Sequence, residues 1–192
     1  NALLIKIDAM GDTLWTKTYG GGGRESGWRV IQTMDGGYAL AGWSSSPGGG
    51  NYDFLLIKTD AMGDTSWVRT YGGIENDIGL SIVETADTTY LVSGFTFSFG
   101  VTDVDAYGIA VDSMGNLLWS MVYGGEAGES GRSLELKADG GYVMGGYSYS
   151  LGDSDADFYL IHTDSAASAG ACYESSVATV TASPPMTVGS AL

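Results

Sequence analysis

The chain repeats itself every 52 residues. "GDTLWTKTYGG" at 11–21 returns as "GDTSWVRTYGG" at 63–73 and as "GNLLWSMVYGG" at 115–125. "DGGYALAG" at 35–42 matches "DTTYLVSG" at 87–94 and "DGGYVMGG" at 139–146. "DFLLIKTD" at 53–60 matches "DAYGIAVD" at 105–112 and "DFYLIHTD" at 157–164. Asp8, Asp60, Asp112 and Asp164 share one register, as do Trp15, Trp67 and Trp119, and Tyr19, Tyr71 and Tyr123. A fixed period of this length means one supersecondary unit built several times, each copy burying its neighbour's apolar face.

Each unit holds four short runs rich in Val, Ile, Leu, Tyr and Trp; in one unit they lie near 27–33, 38–44, 53–59 and 66–71. Such runs predict strands. Between them stand "MDGG", "SPGGGN", "DAMGD" and "YGG", which are turn sequences. The chain has 31 glycines but 3 prolines and no Gly-X-Y period, so the glycine marks turns and not collagen. No apolar stripe of helical period runs over ten or more residues. In "DFLLIKTD", Phe54 and Leu56 point to one face while Leu55 and Ile57 point to the other. A sheet with one wet face alternates more cleanly, so these sheets are expected to be covered on both sides. Four-stranded antiparallel blades stacked around an axis do this, and the predicted fold is an all-β propeller.

Counted from Gly-Gly to Gly-Gly, residues 1–21 form a partial blade, 24–72 and 76–124 two whole blades, and a further blade starts at 128. The propeller region is therefore 1–164, and 165–192 is a C-terminal segment. Within that segment "YESSVATVTA" at 173–182 is expected as a closing strand, the fourth of the blade that starts at 128, followed by linker. This sum is 14 strands, or three and a half blades; two chains together would supply a seven-bladed ring. The partner expectation is thus a homodimer, or further blades in a longer parent chain.

Formal net charge is −15, which disfavours nucleic acid and anionic lipid as partners. No apolar run reaches 18 residues, so no membrane-spanning helix is expected. Cys172 is alone, which rules out a disulfide within the chain.

The units resemble those of bacterial secreted and cell-surface repeat propellers, which read "W..TYGG … T.DGGY..AG … D..L.K.D..G". The matching stretches are 14–21, 66–73, 35–42 and 53–64, and the likeness covers roughly 3–164. It departs in "DTTY" at 87–90 and in "DAYGIAVDSMGN" at 105–116. The resemblance implies an extracellular or cell-surface scaffold, and it carries no catalytic assignment.

Candidate chemistry is sparse. His162, the lone histidine, falls where Lys58 sits two repeats earlier, with no cysteine or second histidine beside it, and reads as a substituted strand residue. Asp153, Asp155 and Asp157 alternate before a strand, aligned with Asn51 and Asp53 and with Asp103 and Asp105. Alternating carboxylates suit calcium, but the glycine and distal glutamate of a calcium loop are missing, so no cofactor is expected. Glu25, then Glu75 with Asp77, then Glu126 with Glu129 follow the Gly-Gly pairs. Paired carboxylates can hydrolyse glycosides, yet residues that recur in every unit fit acid-rich turns better than one catalytic pair. Trp15, Trp67 and Trp119 are read as filling between blades, and the aromatic column Trp43, Phe95, Tyr147 as packing. Trp28, Leu80 and Arg132 share a register but no chemistry. Trp28 and Arg132 are the candidate partner contacts, since large flat and forked side chains anchor interfaces. The function expected is a non-catalytic extracellular module that is structural or binds protein or glycan through its face loops. The alternatives are a lectin-like, calcium-assisted sugar binder and a glycan-active enzyme.

Overall fold

A computed structural model describes residues 1–46, 51–100, 104–150, 155–169, 174–176, 180–182 and 187–190. Every regular element among them is a strand. The first two, β1 (Ala2–Ile7) and β2 (Thr13–Gly20), form a hairpin. Two four-stranded antiparallel runs follow. One is β3 (Glu25–Gln32), β4 (Tyr38–Ser44), β5 (Asp53–Thr59) and β6 (Thr65–Gly72); the other is β7 (Asp77–Glu84), β8 (Tyr90–Thr96), β9 (Asp105–Val111) and β10 (Leu117–Tyr123). Then come the three strands β11 (Glu129–Leu136), β12 (Tyr142–Ser148) and β13 (Asp157–His162). The strands fall where the apolar runs predict them. The expected all-β class and the repeated four-stranded antiparallel sheet are both seen.

The C-terminal segment takes a different course from the expected one. Residues 173–182 were expected beside β13 as a fourth strand of the last sheet. Instead β14 (Glu174–Ser176) pairs with β10, β15 (Val180–Ala182) with β6, and β16 (Thr187–Ser190) with β2. The chain thus travels back over the outer edges of three sheets, adding one short antiparallel strand to each. Free N–H and C=O groups on an edge strand accept any extended backbone, so the pairing needs no particular side chain.

Turn chemistry sets the repeat locally. In the "DAMGD" turns, Asp8 Oδ1 accepts from the amides of Met10 and Asp12, at 2.8 and 3.0 Å, and Asp60 and Asp112 do the same one and two units on. At the "DGGY" turns Gly36 and Gly140 take φ of 83° and 88°, a region open to glycine. Thr88 stands at their register position with φ 65°, so the departure "DTTY" keeps the turn and places a β-branched residue where one rarely goes.

The core lies between the sheets. Every residue of β5 and of β9 is buried. Leu55 and Ile57 join Tyr19 and Leu40 on the side of the first sheet, while Phe54 and Leu56 join Ile82, Val92 and Tyr107 on the side of the next. Leu134, Met144 and Ile161 close the third junction against Leu91 and Tyr123. Two-faced burial explains the unbroken apolar runs in the sequence.

Candidate functional site

The recurring phrase joins one sheet to the next. Tyr19 Oη donates to the Gly63 carbonyl at 2.8 Å, Tyr71 to Gly115 at 2.8 Å and Tyr123 to Ala167 at 2.7 Å. Each bond ties a strand to the "DAMGD"-type turn of the following sheet. Burial, with Asp64 and Asp60 behind it, pushes the Tyr19 hydroxyl up to about 12, and burial raises Tyr71 further. The tryptophans work at the same seams. Trp15 meets Tyr38 edge-on with centroids 5.7 Å apart, Trp67 meets Tyr90 at 6.2 Å, and Trp119 lies against Tyr142 at 5.9 Å. Trp43, Phe95 and Tyr147 each pair with a second ring, Tyr52, Phe97 and Tyr149.

The acidic column proves to be buried. Glu25, Asp77 and Glu129 open β3, β7 and β11 and are shut off from solvent. Asp77 accepts from the Gly73 amide at 2.7 Å, from Ser98 Oγ at 2.8 Å and from Thr96 Oγ1. Glu129 accepts from the Gly125 amide and from Ser148 Oγ. Asp53 and Asp77 converge on Gly72, each with an oxygen 2.5 Å from where a Cβ there would sit, so only glycine fits. Asp105 and Glu129 crowd Gly124 in the same way. Burial raises the Asp77 carboxyl above the ordinary range, against the pull of its hydrogen bonds. These carboxylate pairs lie inside the seams. Glu75 and Glu126 stay at the surface.

The remaining candidates separate. Trp28, Leu80 and Arg132 all sit at register shifts, between Gly27 and Arg29, Gly79 and Ser81, and Gly131 and Ser133. A bulged residue is released from the ladder and re-aimed, which explains why this column tolerates three chemistries. Trp28 is 61% exposed and borders a shallow hollow of about 110 Å³ with Leu3 and Val30. Arg132 lies over the Tyr147 ring at 5.1 Å. The two stand at equivalent positions of the sheets on either side of the β7–β10 sheet. His162 is exposed at the end of β13. Asp103, Asp153 and Cys172 lie outside the described residues. Among the described residues no three His, Cys, Asp or Glu side chains gather as metal ligands would, and no helix is long and apolar enough to cross a membrane.

A cavity of about 600 Å³ opens at the seam between β7–β10 and β11–β13. Trp119, Tyr142, Leu91, Leu136, Asp87 and Lys137 line it. The corresponding seam between β3–β6 and β7–β10 is bridged by hydrogen bonds. There Glu84 reaches back to the Met34 amide at 2.8 Å and accepts from Tyr90 Oη at 3.3 Å, and Trp67 Nε1 donates to the Ser113 carbonyl at 2.9 Å. Leu136 holds the register place of Glu84 and has no acceptor to offer. Trp119 shares its register with Trp15 and Trp67, and nothing in its own residue type sets it apart from them. The change from Glu84 to Leu136 is one sign in the sequence that this seam differs.

No family model matches the chain, and no curated protein matches it either.

Proposed function

We propose that the chain is a non-catalytic structural and binding module, its sheets arranged as propeller blades, that works outside the cell and presents its turns to protein or glycan. One observation carries this reading: the polar groups repeated through the units are consumed in joining sheet to sheet. The three tyrosine hydroxyls bond neighbouring turns, and the buried Asp77 and Glu129 accept from the Gly73 and Gly125 amides, which lie between one sheet and the next. A repeated scaffold of this kind leaves its variable positions for recognition. The extracellular setting rests on the resemblance of the repeats.

The propeller arrangement is supported by the two end faces. Leu3 and Ile5 are 55% and 50% exposed, and Phe158 and Leu160 are 79% and 55% exposed. Their equivalents one or two repeats away, Leu55, Ile57, Phe54 and Leu56, are buried in seams. Both ends of the stack therefore offer surfaces that this repeat covers with another sheet. A second copy of the same stack is the proposed cover. No blade number follows, because the seven-blade sum needed 173–182 beside β13.

The catalytic alternative is tested by incubating the chain with polysaccharides, aryl glycosides and peptides and following new reducing ends and amines. No turnover is expected. Turnover abolished by Glu129→Gln or Asp77→Asn would overturn the non-catalytic reading.

A further inference from the structure

We propose that the cavity between the β7–β10 and β11–β13 sheets is a binding site for a single neutral sugar ring. The proposal rests on the reading of the chain as a binding module and names a site and a ligand class for it.

The site is a place where the repeat departs from itself. Two of its lining residues are substitutions, and a third substitution removes the register partner of a lining aspartate. Leu136 replaces Glu84 and removes the carboxylate that laces the equivalent seam. Ala110 replaces Lys58, whose Nζ holds Asp35 at 2.7 Å, so Asp87, the equivalent of Asp35, has no lysine at that register position. Lys137 replaces Thr85 and brings an ammonium to the opposite wall, where it meets Asp139 at 2.8 Å and the Thr163 carbonyl at 3.0 Å. A packing role asks for sameness from seam to seam, as the tyrosine bonds show. Lys137 makes in its own sheet the contacts that Lys58 makes to Asp35 and the Thr59 carbonyl, but from a position that lines the hollow; with the loss of Glu84's carboxylate and of a lysine beside Asp87, this points to a different use.

The lining has the chemistry of a polyol site. Trp119 is partly exposed, and its ring lies within 9° of parallel to Tyr142, whereas Trp67 meets Tyr90 at 63°. The two rings are too close, at 5.9 Å, to admit a third between them, so a ligand would meet the part of the indole that lines the cavity. The axial C–H bonds of a pyranose carry partial positive charge and suit that electron-rich face. Ring hydroxyls each donate and accept. Asp87 is held ionised by the hydroxyl of Thr85 and offers an acceptor, while Lys137 offers an N–H from the other side. An acceptor and a donor of opposite charge flanking an aromatic floor favour a neutral ligand over an anion or a cation. The volume of about 600 Å³ falls in the range of small-molecule sites.

The test uses the chain with a panel of methyl glycosides of glucose, galactose, mannose and N-acetylglucosamine, followed by saturation-transfer NMR and by the indole Nε1–H resonance of Trp119. At least one glycoside is expected to shift that resonance with a dissociation constant of millimolar order. Leu136→Glu supplies the missing carboxylate and should weaken binding about tenfold or more, with an unchanged or higher thermal midpoint. Asp87→Ala should weaken binding without touching the seam. The proposal is overturned if no glycoside moves the Trp119 signal up to about 20 mM, or if Leu136→Glu binds as the parent does. Binding accompanied by release of methanol would leave the site standing and overturn the non-catalytic reading instead.

Discussion

Tyr71 carries a role that a phenylalanine cannot fill. Tyr71→Phe removes the bond to the Gly115 carbonyl and leaves a buried acceptor without its donor, which should cost about 1–2 kcal/mol, read as a lower urea midpoint. Two aspartates make opposite demands on pH. Asp77 is raised by burial, so the folded chain keeps a proton that the unfolded chain loses near about 3.9. Its stabilisation is present at and below that value and falls away as pH rises through the raised folded value. Asp35 is pushed down to about 2, first by its bond to Lys58. Its contribution is present above the ordinary carboxylate value and is lost as pH falls toward about 2. Urea midpoints taken across acid pH should therefore lose their fall on the neutral side in Asp77→Asn, and part of their acid-side loss in Lys58→Met. A pH profile unchanged by either substitution would contradict the assignment.

At the scale of the element, Thr88→Gly is expected to stabilise the β7–β8 turn by up to about 1 kcal/mol, because relief of the left-handed strain outweighs the entropy glycine adds to the unfolded chain. Thermal midpoints of the two proteins check it. The strands themselves were legible in the sequence, since runs such as "DFLLIKTD" and "GYALAGWS" carry both the apolar content and the flanking turn residues. The bulges at Trp28, Leu80 and Arg132 were visible only as a column without common chemistry; nothing in a residue type says that its backbone leaves the ladder. The course of β14, β15 and β16 was not legible either. An edge strand is recognised by backbone groups that every sequence possesses, so residues 173–182 carry no side-chain pattern that selects β10 and β6 over β13.

For the whole molecule, the exposed end faces predict concentration-dependent association. Sedimentation should show mass rising above one chain with protein concentration, and more readily in salt, which screens the charge of −15 on each copy. Leu3→Lys or Phe158→Lys should hold the chain monomeric, whereas a mass of one chain at all concentrations would remove the proposed cover. The repeat made the seams readable in advance, because packing repeats when the sheets do. The cavity was hidden for the converse reason: it arises where one unit breaks register chemistry, and a single leucine looks unremarkable until the seam it fails to lace is seen in space. The backward path of the C-terminal segment has a temporal consequence. During synthesis the β1–β2 hairpin emerges well before residues 187–190, which pair with β2. Its outer border must wait, unsatisfied, through the making of every later sheet. Nascent chains should therefore be most prone to sticking together just before that trailing strand arrives, and final cohesion should come late and all at once.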